Sequence, residues 1–173
     1  MLTTIERLKQ SVSNVEDQQL EFLIKAASSS IIRYINRPLE QKELGEFHNG
    51  HAESKFLNLE LYPLHEVTSV EMDGETIRDI KLIPEIGRLY REKGWTPGFR
   101  NIEVRYSGGY VLPGNENANL PEDIELACIL HVQDLMRTPG VVSERVGDIS
   151  VTYSQDRMSN AVRSLLEGYR RYL

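Results

Sequence analysis

The sequence predicts an α+β fold, in which a helical bundle carries an inserted antiparallel β region of short strands. Apolar residues recur at spacings of three and four before residue 38 and again after residue 120, as they do along amphipathic helices. Residues 43–110 instead contain β-branched and aromatic runs that are broken by Gly, Pro and Asp-Gly, which is typical of short strands. We therefore predict a helical core over residues 1–140 that contains the β insert, followed by a strand and an amphipathic helix in residues 141–173.

Two helices are predicted ahead of the β region. Thr3 and Glu6 have the spacing of a capping box for a short first helix. Asn14 is placed to cap a longer second helix, and Pro38 is expected to end that helix near Asn36. The apolar stripe of the second helix comprises Leu20, Leu23, Ile24, Ala27, Ile31, Tyr34 and Ile35.

The β region is predicted to contain a hairpin and several further short strands. Residues 67–72 lead into Asp73-Gly74, a pair that tolerates the positive φ of a tight turn, and the returning strand is expected over about residues 75–83. Other strands are predicted at residues 56–59, 88–90 and 102–106. The last of these alternates apolar and polar residues, as a strand with one face in water should.

Two more helices are predicted after the β region. The helix near residues 121–138, which Thr138-Pro139-Gly140 should end, is apolar over more than half its circumference, so we expect it to be buried on two sides. The helix near residues 157–172 combines an apolar stripe with four arginines against the single acid Glu167. At about 16 residues it would be roughly 24 Å long. Its stripe is typical both of a core helix and of a docking element, and the sequence leaves the two open.

Composition limits the classes of function. The lone Cys128 excludes an intrachain disulfide and a zinc cage of cysteines, and the reducing cytoplasm is the expected compartment. The sequence begins without the basic and apolar run of a secretion signal and lacks any stretch of roughly 20 apolar residues, so we expect a soluble protein with no membrane partner. A formal net charge of −6 disfavours nucleic acid as a partner except at a local basic patch.

The search for catalytic chemistry yields few candidates. His48 and His51, with Glu46 and Glu53 nearby, carry the donors of a metal site and suggest a small metal-dependent hydrolase as an alternative function. The Asn-Gly between the two histidines marks a turn, and a solvated hairpin loop explains this segment better than a metal site does. We therefore expect no metal and no enzyme activity.

Three further features of the sequence are candidates for a functional role. Cys128 and His131 are three residues apart on the predicted third helix, and their apolar neighbours favour a buried thiol and a hydrogen-bonded core histidine over a catalytic pair. Trp95 lies on a predicted loop, where it would either contact a partner or cover one end of the sheet. Gly108-Gly109 lacks the spacing and the Lys-Ser/Thr of a phosphate cradle, so no nucleotide cofactor is expected.

The order of these segments resembles the head-tail connector, or adaptor and head completion, proteins of tailed bacteriophages. The resemblance spans nearly the whole chain and moves from helix to strand-rich insert to helix. It rests on Asp17 with Ala26-Ala27-Ser28, Ile31, Tyr34 and Arg37; on Leu59 with Tyr62-Pro63-Leu64-His65-Glu66-Val67; on Val70 with Asp73-Gly74; on Gly87-Arg88-Leu89-Tyr90; on Val104 with Tyr106-Ser107-Gly108-Gly109-Tyr110 and Leu120-Pro121; and on residues 144–153. None of these segments carries a catalytic residue.

This resemblance implies a structural protein of the virion neck, made in the host cytoplasm. Such proteins form a ring, commonly of twelve subunits, that joins the portal protein to a tail-side stopper or completion protein. DNA passes through the ring without being bound specifically. A ring needs two different patches on each subunit, which we expect the third and fourth helices to supply.

The resemblance also implies that the C-terminal helix docks on the portal. The residues expected to do so are Arg163, Leu166, Tyr169, Arg170, Arg171, Tyr172 and Leu173. A nucleic-acid-binding module that uses Arg163, Arg170 and Arg171 is a second alternative.

Overall fold

The structure is a computed structural model that describes residues 1–137, 143–146, 149–152 and 158–171. The chain divides into two compact units, a helical unit of Met1–Asn36 with Leu112–Leu173 and a sheet unit of Arg37–Val111. The predicted α+β class is confirmed. No helix in the described ranges is long and apolar enough to cross a membrane.

The helical unit is built around two long helices. α1 is Ile5–Lys9, α2 is Asp17–Ile35, α3 is Glu122–Met136 and α4 is Asn160–Leu166, after which Glu167–Tyr169 forms a 3-10 turn. α3 packs against both α2 and α4. Its broad apolar surface therefore serves packing within the chain, which confirms burial on two sides.

The helix ends differ from the predicted ones. The cap of α1 is Thr4, whose hydroxyl accepts a hydrogen bond from the N–H of Arg7 at 3.2 Å. Thr3 is instead buried and donates to Oε1 of Glu125 at 3.0 Å, a long-range partner that local spacing does not reveal. Glu16, and not Asn14, precedes α2. α2 ends next to Asn36, which adopts the left-handed conformation. This is where Pro38, two residues later, was expected to end the helix.

The last helix is much shorter than predicted. α4 has seven residues and starts at Asn160, so Met158 precedes it. Gly168, among the weakest helix formers, lies in the 3-10 turn that ends the helical conformation. Arg157 and Tyr172, at the predicted ends, lie outside the described residues, as does Thr138-Pro139-Gly140.

The sheet unit contains a four-stranded and a three-stranded antiparallel sheet. The strands are β1 Lys42–Gly50, β2 Phe56–Asn58, β3 Leu64–Met72, β4 Glu75–Thr76, β5 Lys81–Ile83, β6 Arg88–Tyr90 and β7 Gly98–Gly108. Their orders are β1-β7-β3-β4 and β2-β6-β5. A separate hairpin pairs β8, Ser143–Val146, with β9, Ile149–Thr152, where the sequence predicts a late strand.

Alternation along β7 orients the larger sheet. Ile102, Val104 and Tyr106 point into the core of the sheet unit, while the polar residues between them form the opposite face. Asp73 and Gly74 have the positive φ values predicted for the hairpin turn.

The strand predicted at residues 75–83 is wrong in extent. It divides into β4 and β5, which belong to different sheets. Ile77 and Ile80, three residues apart, both pack against the core. A strand that alternates every second residue cannot bury both, so the chain leaves one sheet and enters the other.

Candidate assembly surfaces

The apolar side of the C-terminal segment, residues 158–171, is part of the helical core. Val162 and Leu166 are fully buried, and Met158 is nearly so. Burial of each such side chain contributes about 1.5–3 kcal/mol, so separation of α4 from α3 would be costly. Of the two interpretations that the sequence leaves open, the described residues support the core helix.

Polar contacts hold the end of the same segment against the last turn of α2. The backbone N–H of Arg171 donates to the carbonyl of Ile35 at 2.8 Å. The hydroxyl of Tyr34 donates to Glu167 at 3.0 Å, and the guanidinium of Arg170 lies 5.1 Å from the centre of the Tyr34 ring. Burial and the hydrogen bond to Glu167 raise the pKa of Tyr34. The segment is therefore attached at both its apolar and its polar side.

The seven residues expected to contact a portal differ in accessibility. Leu166 is buried and has no surface to offer a partner while α4 stays packed. The accessible or half-buried members are Arg163, Tyr169, Arg170 and Arg171. Tyr172 and Leu173 lie outside the described residues. Contact with a portal stays a prediction for the accessible members.

A basic cluster forms at the C-terminal end of α2. Arg33 is exposed in the last turn of α2, and Arg170 and Arg171 are held at that same end. Positive charge is favourable there because the helix dipole leaves partial negative charge at its C-terminus. We call Arg170 and Arg171, which lie beside Arg33, the C-terminal basic cluster.

Trp95 belongs to the core and not to a partner surface. It is 2% exposed and packs in the core of the sheet unit. Of the two roles that the sequence leaves open for Trp95, its burial favours cover of the sheet, because the indole ring is large enough to fill the interior when the loop folds back. The exposed aromatic of this region is Phe99, at 84%.

A buried carboxylate links three parts of the sheet unit. The hydroxyl of Tyr106 donates to Oε1 of Glu46, the backbone N–H of Glu60 donates to the same oxygen at 3.0 Å, and Nε2 of His48 lies 2.9 Å from Oε2. The Tyr106 hydroxyl also accepts from the N–H of Leu61 at 3.0 Å. Burial, and then the hydrogen bond to Glu46, raises the pKa of Tyr106. This network ties β1 and β7 to the loop after β2.

The same network predicts acid sensitivity. Burial by itself raises the pKa of Glu46, but the contacts with His48, Tyr106 and the Glu60 N–H outweigh it and lower this pKa below its ordinary 4.5. Because its pKa is lower in the folded state, the charged Glu46 carboxylate stabilises the fold at pH values above the unfolded-state pKa. This contribution is lost as the pH falls through the folded-state pKa. We expect Glu46→Gln to reduce the free energy of unfolding by about 2 kcal/mol near neutral pH, and by much less near pH 3.

Urea unfolding at the two pH values measures this difference. Glu43→Gln, on the same strand but exposed, is the control and should change little at either pH. An equal loss for Glu46→Gln at both pH values would contradict the role of the charged carboxylate.

The geometry around His48 and His51 does not support the alternative interpretation of a metal site. His48 lies beside Glu46, and His51 is exposed at the edge of an open depression that is lined also by Glu53 and Phe56. Among the residues that the structure describes, no three His, Cys, Asp or Glu side chains are grouped so that they could hold a metal ion. The hydrolase hypothesis therefore gains no support from the geometry.

Cys128 is a core thiol. It is fully buried, its Sγ lies 3.7 Å from the hydroxyl oxygen of Ser28, and burial raises its pKa to about 11. His131 is also buried, and burial lowers its pKa. A neutral thiol and a neutral imidazole are the opposite of the charged pair that nucleophilic catalysis requires. Burial is confirmed for both residues, whereas the hydrogen bond expected for His131 is not found at its Nδ1, which has no partner among the described residues.

A protein-family model covers nearly the whole chain. The family model described as Head completion protein matches residues 2–172. The chain belongs to the head completion protein family. No curated protein matches it.

Three solved structures that are similar in fold to this head completion protein come from a gene transfer agent (GTA) particle. The neck of the native particle, computed with C12 symmetry, is 17% identical with a TM-score of 0.62, over 98% of this chain and 90% of that one. The neck of the empty particle, computed with C6 symmetry, is 17% identical with a TM-score of 0.60, over 94% and 83%. The virion of the native particle is 18% identical with a TM-score of 0.57, over 93% and 82%. At these identities the likeness concerns the fold.

Sequence reasoning missed the exposed aromatics of this head completion protein. Phe22 on α2 is 71% exposed and Phe47 on β1 is 50% exposed. Phe22 lies outside the buried stripe of α2, and this position in the helical pattern could have predicted that its side chain is exposed. The exposure of Phe47 could be predicted only from the pairing of β1 with β7, which a single sequence does not give.

Proposed function

We propose that this head completion protein is a structural subunit of the head-tail connector in the neck of a tailed phage or prophage particle. It acts by assembly and not by catalysis. The observation that carries this conclusion is the match of the family model to residues 2–172, nearly the whole chain. Similarity of fold to structures of a particle neck supports it.

The subunit is proposed to form a ring between the portal protein and a tail-side stopper or completion protein. The neck structures that share its fold were computed with C12 and C6 symmetry, as ring assemblies require. DNA would pass through the ring without specific binding. The formal net charge of −6 supports this, because a net acidic subunit does not attract the phosphate backbone.

The C-terminal basic cluster is the proposed portal contact. Its arginines project from a segment that is fixed on α2, so a partner would meet a preformed surface and would not need to order a free arm. This proposal replaces the picture of an extended docking helix, because Val162 and Leu166 keep α4 in the core.

A portal-binding assay tests this function. The full chain is mixed with the portal ring of the same particle, and the complex is followed by native mass spectrometry and by binding affinity. We expect ring formation, in solution or on the portal, and a loss of affinity of about tenfold or more for the double variant Arg170→Glu, Arg171→Glu. The contact of the Arg171 backbone with Ile35 is preserved in this variant.

Arg78→Glu is the matched control, since Arg78 is exposed in the sheet unit. Affinity that falls equally for this control would show a general charge effect and not a docking site. Failure of the wild-type chain both to form a ring and to bind a portal would contradict the connector function itself.

A further inference from the structure

The outer face of α2 is an apolar and cationic surface without a cover among the described residues. One side of α2 packs against α1 and α3. On the other side Phe22 is 71% exposed and Ile32 is 38% exposed. Lys25, Ser29 and Arg33 are exposed beside them, at helical spacing from Phe22 and Ile32. We call these five residues the α2 face.

The outer face of the larger sheet is acidic around one aromatic residue. Phe47, 50% exposed on β1, stands opposite Glu103 on β7, and Glu103 stands opposite Glu71 on β3. Glu43 lies four residues before Phe47 on β1 and stands opposite Ser107 of β7, which in turn stands opposite Glu66 of β3. Because side chains separated by an even number of residues point to the same side of a strand, Glu43 and Glu66 share this face. We call Glu43, Phe47, Glu66, Glu71 and Glu103 the acidic sheet face.

This sheet face is electrostatically unfavourable in the free subunit. Like charges directly opposite each other across two strands destabilise the pair, and Glu71 and Glu103 are so placed. Arg105 pairs with Glu103 at 2.9 Å, and Arg100 lies 4.9 Å from the centre of the Phe47 ring. Within the described part of the chain, no ion pair is formed by Glu43, Glu66 or Glu71. A partner that brings positive charge and apolar surface would relieve the repulsion and cover Phe47.

We propose that the α2 face of one subunit docks on the acidic sheet face of the next subunit in the ring. This inference rests on the proposed connector function and names the contact that builds the ring. Arg33 supplies the opposite charge that Glu71 lacks. Lys25, which pairs with Glu21 on its own helix at 2.6 Å, adds positive charge beside it. Phe22 and Ile32 supply the apolar surface for Phe47. The two surfaces differ, as a head-to-tail contact that closes into a ring requires.

The dimensions of the two surfaces agree. α2 has 19 residues, which makes it about 28 Å long. β1 and β3 have nine residues each and β7 has 11, which gives strands of about 30–36 Å. The helix can therefore lie along the strands over its whole length, the arrangement in which helices cover sheets within domains.

Charge reversal tests the contact. Arg33→Glu and Glu71→Arg are made singly and together in the full chain, and ring formation is measured by native mass spectrometry, alone and in the presence of portal rings. Each single variant should weaken subunit association by about tenfold or more, because it places like charges in contact. The double variant should recover most of the loss, because every subunit then carries both reversed partners.

The outcomes separate this contact from the connector function. Rings that form from the wild type and equally well from both single variants overturn the contact and leave the connector function standing. The contact is also overturned if single variants form rings but lose a neck partner, since the faces would then serve that partner. A double variant that is as weak as the single ones overturns the pairing as well. A wild-type chain that forms no ring under either condition overturns both proposals.

Discussion

Replacement of Gly50 by alanine is expected to lower the free energy of unfolding of the sheet unit by about 3 kcal/mol. A Cβ at this position would overlap the backbone carbonyl oxygen of Thr96 and would lie 2.9 Å from its carbonyl carbon. The same atom would lie 3.1 Å from Oδ1 of Asn101, which accepts the hydrogen bond of the Gly50 N–H. Backbone atoms cannot move aside as a side chain can, so the end of β1 must separate from its neighbours.

Gly45→Ala is the matched control for this change. Gly45 lies on the same strand, and among the described residues a Cβ there would come within 4.0 Å of the side chain of Arg105 alone, an ordinary contact. We expect this variant to change stability by less than about 1 kcal/mol. Urea unfolding followed by circular dichroism measures both variants, and equal stability of the two would contradict the close approach of Gly50 to Thr96.

Leu166→Ala is expected to destabilise the helical unit by about 3 kcal/mol. Leu166 is fully buried on α4, and its removal leaves a cavity in addition to the lost burial. An arm that stands away from the body would show almost no effect, so this variant decides between the two interpretations of the C-terminal stripe.

Leu126→Ala provides the comparison within the same unit. Leu126 lies on α3 but is 45% exposed, so its truncation should cost less than about 1 kcal/mol. Thermal and urea unfolding of the two variants give the difference directly. If both leucines prove equally dispensable, α4 is not packed as described.

Periodicity predicted the parts of the fold in which one face is buried and the other is wet. The stripe of α2 and the alternation along β7 are both of this kind, and both are confirmed. These signals are physical, because burial repeats with the geometry of the element itself. The burial of Cys128 also followed from its neighbours along one helix.

Features that depend on distant partners could not be predicted. Thr3 matched a capping pattern, yet its hydroxyl is used by Glu125, more than a hundred residues later. The proposed acidic sheet face has the same limit, because Phe47, Glu71 and Glu103 come to share a face only through strand register. The predicted length of the C-terminal helix was wrong for a different reason. Its apolar stripe continues in the sequence past Gly168, which lies in the 3-10 turn that ends the helical conformation.

The position of β7 between β1 and β3 has a consequence for folding during synthesis. Neither β1 nor β3 can complete the larger sheet until residues 98–108 have left the ribosome, because both strands hydrogen-bond to β7. The helical unit must wait still longer, since α4 is translated last. The inserted unit can therefore fold before the unit that contains the N-terminus, and the first two helices must remain without their partner α3 while it does so.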